Sequence, residues 1–172
     1  LSCATTRLKT TEVSGDGQRD LVVGLKSKVA TFAGGFDVRV ALGSGSFTSK
    51  QVVMTNGKGT ALGVVAGIGV GDIDLDGDRD LAIGSNSGLY WGHVDIFLND
   101  GTGDFTWSKR LLAKAGVNDV AVVDIANDGN LLPDILVGIS EAKNVGGVQV
   151  WLNKSGVFGI DDNTGFDYDD DT

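Results

Sequence analysis

Hydrophobic residues in this chain recur at every second position in short runs. Residues 38–47 read VRVALGSGSF, residues 94–105 read VDIFLNDGTGDF and residues 148–158 read VQVWLNKSGVF. Each run alternates, passes through a glycine-containing turn and reaches a phenylalanine: Phe47, Phe105 and Phe158. Alternation of this length predicts half-buried strands. Asn99-Asp100-Gly101 and its counterparts are hairpin turn chemistry. No stretch carries the 3.6-residue period of a helix over a convincing length, which excludes a solenoid of strand–helix units.

A second pattern repeats in phase with the first. Residues 15–25 read GDGQRDLVVGL, residues 75–85 read LDGDRDLAIGS and residues 127–139 read NDGNLLPDILVGI. Each joins Asp-Gly, a polar spacer and an Asp to an apolar run containing glycine. The Asp-Gly pairs begin at 16, 76 and 128, so the period is 52 to 60 residues. The middle unit predicts strands over Val64–Ile73, Leu81–Ser85, Val94–Leu98 and Phe105–Leu112. Four antiparallel strands per unit describe a propeller blade. The expected fold is all-β: one repeat region over 1–172, with repeats at 8–60, 61–115 and 116–160 and an acidic tail at 161–172.

Composition supports that reading and narrows the partners. Gly is 27 of 172 residues and Pro is 1, a balance suited to short strands and tight turns. There are 21 Asp against 2 Glu (Glu12 and Glu141), so the acidity sits in turns, which Asp favours. A net charge of -9 argues against nucleic acid and anionic membrane as partners. No apolar run is long enough for a transmembrane helix. Cys3 is the only cysteine, so no internal disulfide can form. The chain begins at Leu, which points to a processed product or a piece of something longer. Leu1-Ser2-Cys3 has the form of a bacterial lipoprotein signal's end, but an ordinary cysteine near a cut end is the plainer reading.

The acid is densest in the middle unit, where Asp72, Asp74, Asp76, Asp78 and Asp80 occupy alternate positions around Gly77. Five like charges in nine residues repel unless a cation lies among them. Calcium takes about 6–8 oxygens, and carboxylates at positions 1, 3 and 5 before a glycine can curl around it. Asp72, Asp74 and Asp76 would supply side-chain oxygens and Asp78 its backbone carbonyl. Gly77 permits the bend, and Asp80 closes the site. An EF-hand starts the same way but needs Glu at its twelfth position and flanking helices. Here the twelfth residue is Ile83 and the flanks are strands. A solvated acidic turn is the plain alternative. The outer loops are poorer: Asp124, Asp128 and Asp134 match in the third, with Ala126 at position 3, and only Asp16 and Asp20 match in the first, behind Glu12 and Ser14. Asp167, Asp169 and Asp171 repeat the spacing in the tail.

DIDLDGDRDL followed by VDIFLNDGTGDF resembles the FG-GAP/VCBS repeat of integrin α subunits and many secreted microbial proteins. The resemblance covers roughly residues 10–160. It implies blades of a β-propeller, with the aspartate loop between a blade's first two strands binding calcium. On that resemblance the ligands are Asp72, Asp74, Asp76, Asp78 and Asp80, while Ser14 and Ala126 depart from the pattern.

Three repeats are too few for a closed ring of 4 to 8 blades. The expectation is therefore a partial propeller, or one completed by oligomerisation. The chain reads as starting inside one unit and stopping inside the next, so end-to-end pairing could complete a blade, as a homo-oligomer or a head-to-tail filament with the tail at the junction. The expected function is non-enzymatic: a calcium-binding extracellular or cell-surface repeat protein in adhesion or recognition of a protein or glycan. A structural subunit of an extracellular filament, sheath or surface layer, and a lectin-like module, are the alternatives. Trp91, Trp107 and Trp151 lie in or beside strands, where core is the commoner fate. His93 follows Gly92 at a strand start and reads as a surface residue, and Asp95 as an outward position.

Overall fold

A computed structural model describes residues 2–30, 33–88, 91–125, 129–140 and 146–160. The described residues form twelve strands and no helix. Blade 1 comprises β1 (Cys3–Thr11), β2 (Asp20–Ser27), β3 (Gly34–Ala41) and β4 (Phe47–Val53). Blade 2 comprises β5 (Val64–Gly71), β6 (Asp80–Asn86), β7 (Gly92–Asn99) and β8 (Phe105–Leu112). Blade 3 comprises β9 (Gly116–Val123), β10 (Asp134–Ser140), β11 (Gly146–Lys154) and β12 (Val157–Ile160). Each blade is one antiparallel sheet whose strands lie side by side in chain order. The four strands expected of the middle unit are thus present within two residues of the expected bounds. The first blade takes in residues before position 8.

Every described blade draws its four strands from consecutive chain. Among the described residues, blades 1 and 3 each pack against blade 2 on one face.

The blades pack face to face, and two apolar cores lie between them. Val22, Phe36 and Val38 of blade 1 meet Val65, Ile68, Leu81, Ile83, Phe97 and Phe105 of blade 2. The Phe36 ring stands edge-on to Phe97, with centroids 4.9 Å apart, and to Phe105 at 6.4 Å. Ala82, Val94 and Ile96, on the other side of blade 2, meet Val117, Val120, Ile135, Val137 and Trp151 of blade 3. Each blade therefore has a rear face toward the preceding blade and a forward face toward the following one. In β6 the alternation sorts Leu81 and Ile83 to the rear and Ala82 to the front, as a period of two dictates.

Blade 2 is covered on both faces, and this overturns three expectations. β6 and β7 are buried along almost their whole length rather than half-buried. Asp95 is fully buried: its carboxylate takes two hydrogen bonds from Arg110 Nε, at 3.0 and 3.2 Å, one from Arg110 Nη2 at 2.8 Å and one from Trp107 Nε1 at 2.8 Å. His93 is buried too, with Nε2 donating to the Leu62 carbonyl at 2.7 Å. Burial, and then the Arg110 charge, hold the His93 pKa below its usual value, so the ring is neutral and its tautomer fixed by that bond. The tryptophans divide: Trp151 is core, Trp107 is half-buried, and Trp91 is 76% exposed, contrary to expectation.

A buried ion pair that loses one partner leaves an uncompensated charge. Asp95→Ala is accordingly expected to lower stability by about 3–5 kcal/mol in urea unfolding. A change within experimental scatter would contradict the role given to the Asp95–Arg110 pair.

Candidate metal centre

The acidic loop joins β5 to β6, and the last acid of the series, Asp80, is the first residue of β6. Asp80 is fully buried. Its Oδ2 accepts the N–H of Ile73 at 2.7 Å and its Oδ1 the N–H of Asn99 at 2.9 Å. One carboxylate thereby ties the loop's start to the end of the third strand. The same tie occurs in the other blades. Asp20 accepts Val13 N–H at 3.0 Å and Ala41 N–H at 2.8 Å. Asp134 accepts Ile125 N–H at 3.0 Å and Asn153 N–H at 2.9 Å. This backbone role was missed in the sequence, although an Asp opening an apolar strand in all three units was its visible sign.

Around Asp80 the loop gathers two further acids. Asp72, Asp74 and Asp80 each place a carboxylate oxygen within 4.8 Å of the others. That separation is about the diameter between opposite ligands of an ion with bonds of about 2.4 Å. Asp72 Oδ2 accepts the N–H of Gly77 at 3.1 Å, while Asp72 Oδ1 is buried with no hydrogen-bond partner. A buried oxygen of a charged group left unpartnered is costly, so the donor set fits a hard cation. Leu75 stands at φ 63° and Gly77 at φ 103°. The left-handed backbone at Leu75 is uncommon for a side chain of that kind, and its presence turns the loop back over the acids.

Asp76 and Asp78 stand outside this group. Asp76 Oδ1 accepts the N–H of Asp78 at 2.9 Å. The Asp78 carboxylate lies against Gly101, where a side chain would strike it. In the first loop, Glu12 Oε1 accepts the N–H groups of Ser14 at 2.9 Å and Gly15 at 2.7 Å. Asp16 Oδ1 accepts the N–H of Gln18 at 2.7 Å, and Asp20 is the blade tie. That loop therefore satisfies its acids with its own backbone. In the third loop Asp124 and Asp134 are described, whereas Asp128 and Ala126 lie outside the described residues, as do Asp167, Asp169 and Asp171.

Residues 72–137 match the family model of the FG-GAP-like repeat. The chain carries an FG-GAP-like repeat. The FG-GAP match opens on Asp72, the first acid of the cluster, crosses the rest of blade 2 and ends inside β10. It thus takes in the loop and both of the elements that Asp80 ties together. No curated protein matches the chain in sequence.

The cluster's electrostatics follow from this crowding. Burial raises the Asp80 pKa to about 6, with the charges of Asp74 and Asp76 adding to it and the Asn99 and Ile73 N–H groups opposing. Burial and then Asp76 raise Asp74 in the same direction. Between pH 3.8 and about 6 the folded protein free of cation therefore keeps a proton on Asp80 that the unfolded chain releases. That contribution to stability is complete below the ordinary value of 3.8 and is lost as pH rises through about 6. A cation needs the ionised form, so its binding runs the other way. Cation affinity is expected to fall by up to about tenfold per pH unit below about pH 6. Calorimetric titration at about pH 7.5 and about pH 5 checks this, and equal affinity at both would remove Asp80 from the site.

Proposed function

We propose that the chain is a calcium-binding, β-propeller-type repeat protein that acts outside the cell in recognition or adhesion, without catalysis. The observation that supports it most is the Asp72–Asp74–Asp80 group with its unpartnered buried oxygen. Calcium would be held by these three carboxylates and would supply the missing counter-charge. A single short loop suits the millimolar calcium of extracellular modules, where dissociation constants run to about 10⁻⁴–10⁻³ M. A Ser/His/Asp site gains no support from His93, whose ring is buried against Leu62.

Calcium in about 100-fold excess over its dissociation constant is expected to add about 2.7 kcal/mol of stability. Thermal melting in calcium and in chelator reads this, and an unchanged midpoint would sink the proposal. Asp74 is exposed, and the backbone N–H of Asp76 that its carboxylate accepts can also be taken by an asparagine side-chain oxygen. Asp74→Asn is therefore expected to abolish most of the calcium response while leaving the chelated midpoint equal or higher, because repulsion is removed. Asp104→Asn, at a carboxylate paired with Lys50 at the surface, should keep the full response.

A second reading, a glycan-binding module, rests on the exposed indole of Trp91, since aromatic faces stack on apolar ligand surfaces. Trp91→Ala should then lose glycan-array binding and keep the calcium response. Unaltered binding would exclude the indole.

A further inference from the structure

The connection from blade 1 to blade 2 holds a tightly bonded turn. Asn56 is buried, and its Oδ1 accepts the N–H groups of Lys58 and Thr60, both at 3.0 Å. Its backbone N–H donates to the Thr60 carbonyl at 2.8 Å, and its carbonyl accepts the N–H of Gly59 at 2.9 Å. The turn lies against the indole of Trp107 on β8: a side chain on Gly57 would come within 2.8 Å of Trp107 Cε3. Arg110 Nη2 reaches the Ala61 carbonyl just beyond the turn at 3.3 Å. The turn is therefore fixed before a ligand arrives, which removes an ordering cost from binding.

Between this turn and β8 lies a cavity of about 530 Å³, within the range of small-ligand sites, about 300–1,000 Å³. Lys58, Lys109 and Arg110 line it, and among the described residues no Asp or Glu does. Acids outnumber bases 23 to 14 in this chain, so a cavity walled by bases alone runs against the composition. Arg110 is neutralised by Asp95, at 2.8 Å. Among the described residues neither lysine is paired with an acid. Lys58 Nζ stands 5.6 Å from the centre of the Trp107 ring. Lys109 Nζ donates to the Gly156 carbonyl and stands 5.2 Å from the centre of the Phe158 ring. Contact with an aromatic face steadies an ammonium without cancelling its charge, and an ammonium has several donors to give. Both lysines thus keep charge and donors for an anion. Thr60 and Ser108 bring hydroxyls to the same cavity.

The lysines set the ligand's charge, and the rest of the cavity sets its class. A lone inorganic anion would leave most of the volume to water. Hydroxyls beside a half-buried indole suit a molecule with its own hydroxyls and C–H faces.

We propose that this cleft binds an acidic saccharide, with Lys58 and Lys109 taking its carboxylate or sulfate groups and Thr60 and Ser108 its hydroxyls. The proposal rests on the reading of the chain as a recognition protein and gives that reading a ligand class and a place. It uses none of the acids of the 72–80 loop.

The experiment is calorimetric titration of the full chain in millimolar calcium. The probes are trigalacturonate, sulfated maltotriose and neutral maltotriose, with hexathymidylate as a polyanion that is not a polysaccharide. At least one acidic trisaccharide is expected to bind, more weakly as salt rises, and the one that binds distinguishes carboxylate from sulfate. Neutral maltotriose is expected not to bind. Lys58→Met and Lys109→Met keep the stem over the aromatic ring and remove the charge, and each is expected to weaken binding about tenfold. Lys58→Arg, which keeps the charge, should bind as the parent does. Lys28→Met removes the same charge from an exposed position in blade 1 and should leave the affinity unchanged. Failure of both acidic sugars to bind, an equal loss in Lys28→Met, or hexathymidylate bound as tightly would each overturn the proposal. Melting midpoints of the same samples in calcium and in chelator keep the two readings apart. A missing ligand with the calcium response intact overturns the cleft and leaves the calcium reading standing.

Discussion

Each blade depends on one buried carboxylate, the aspartate that opens its second strand. Asp20, Asp80 and Asp134 each accept a backbone N–H from just beyond the first strand and another from the third-strand end. A carboxylate satisfied by two or three N–H groups is a strong, directional link, and in a blade it fixes both ends of the connection at once. In blades 2 and 3 the third-strand residue so fixed is an asparagine, whose side chain then reaches the preceding blade. One acid therefore holds the loop, the sheet end and the blade junction in register.

The acidic cluster is an elaboration of that link rather than a separate device. Where only Asp80 is needed for the fold, Asp72 and Asp74 bring two more carboxylates to its side. Burial first, and then the charges of Asp74 and Asp76, oppose ionisation of Asp80, on which the blade is built. Blade 1 avoids the conflict, because Glu12 bends back onto the loop's own N–H groups. The two loops thus differ at two positions: Glu12 and Ser14 stand in blade 1 where Asp72 and Asp74 stand in blade 2.

Much of this was legible in the sequence. Period-two alternation, glycine turns and three Asp-Gly units specify antiparallel strands in groups of four, because strand pairing, turn chemistry and repeat length are local properties. The alternate acids around Gly77 marked the loop for the same reason: their spacing is set within nine residues. The sequence offered all five acids of the loop as one set, and the structure brings Asp72, Asp74 and Asp80 of that set together.

The sequence did not reveal which polar residues are interior. Asp95 and His93 sit on strands that look half-polar, and they are buried only because a second sheet covers each face of blade 2. Likewise Asp76 and Asp78 belong to the same alternation as their neighbours, yet the turn at Leu75 and Gly77 separates them from the cluster. Local pattern determined strands, blades and the acidic loop, since those arise from neighbours in the chain. Burial and pairing were decided by the stacking of blades, which brings together residues some 50 to 110 positions apart.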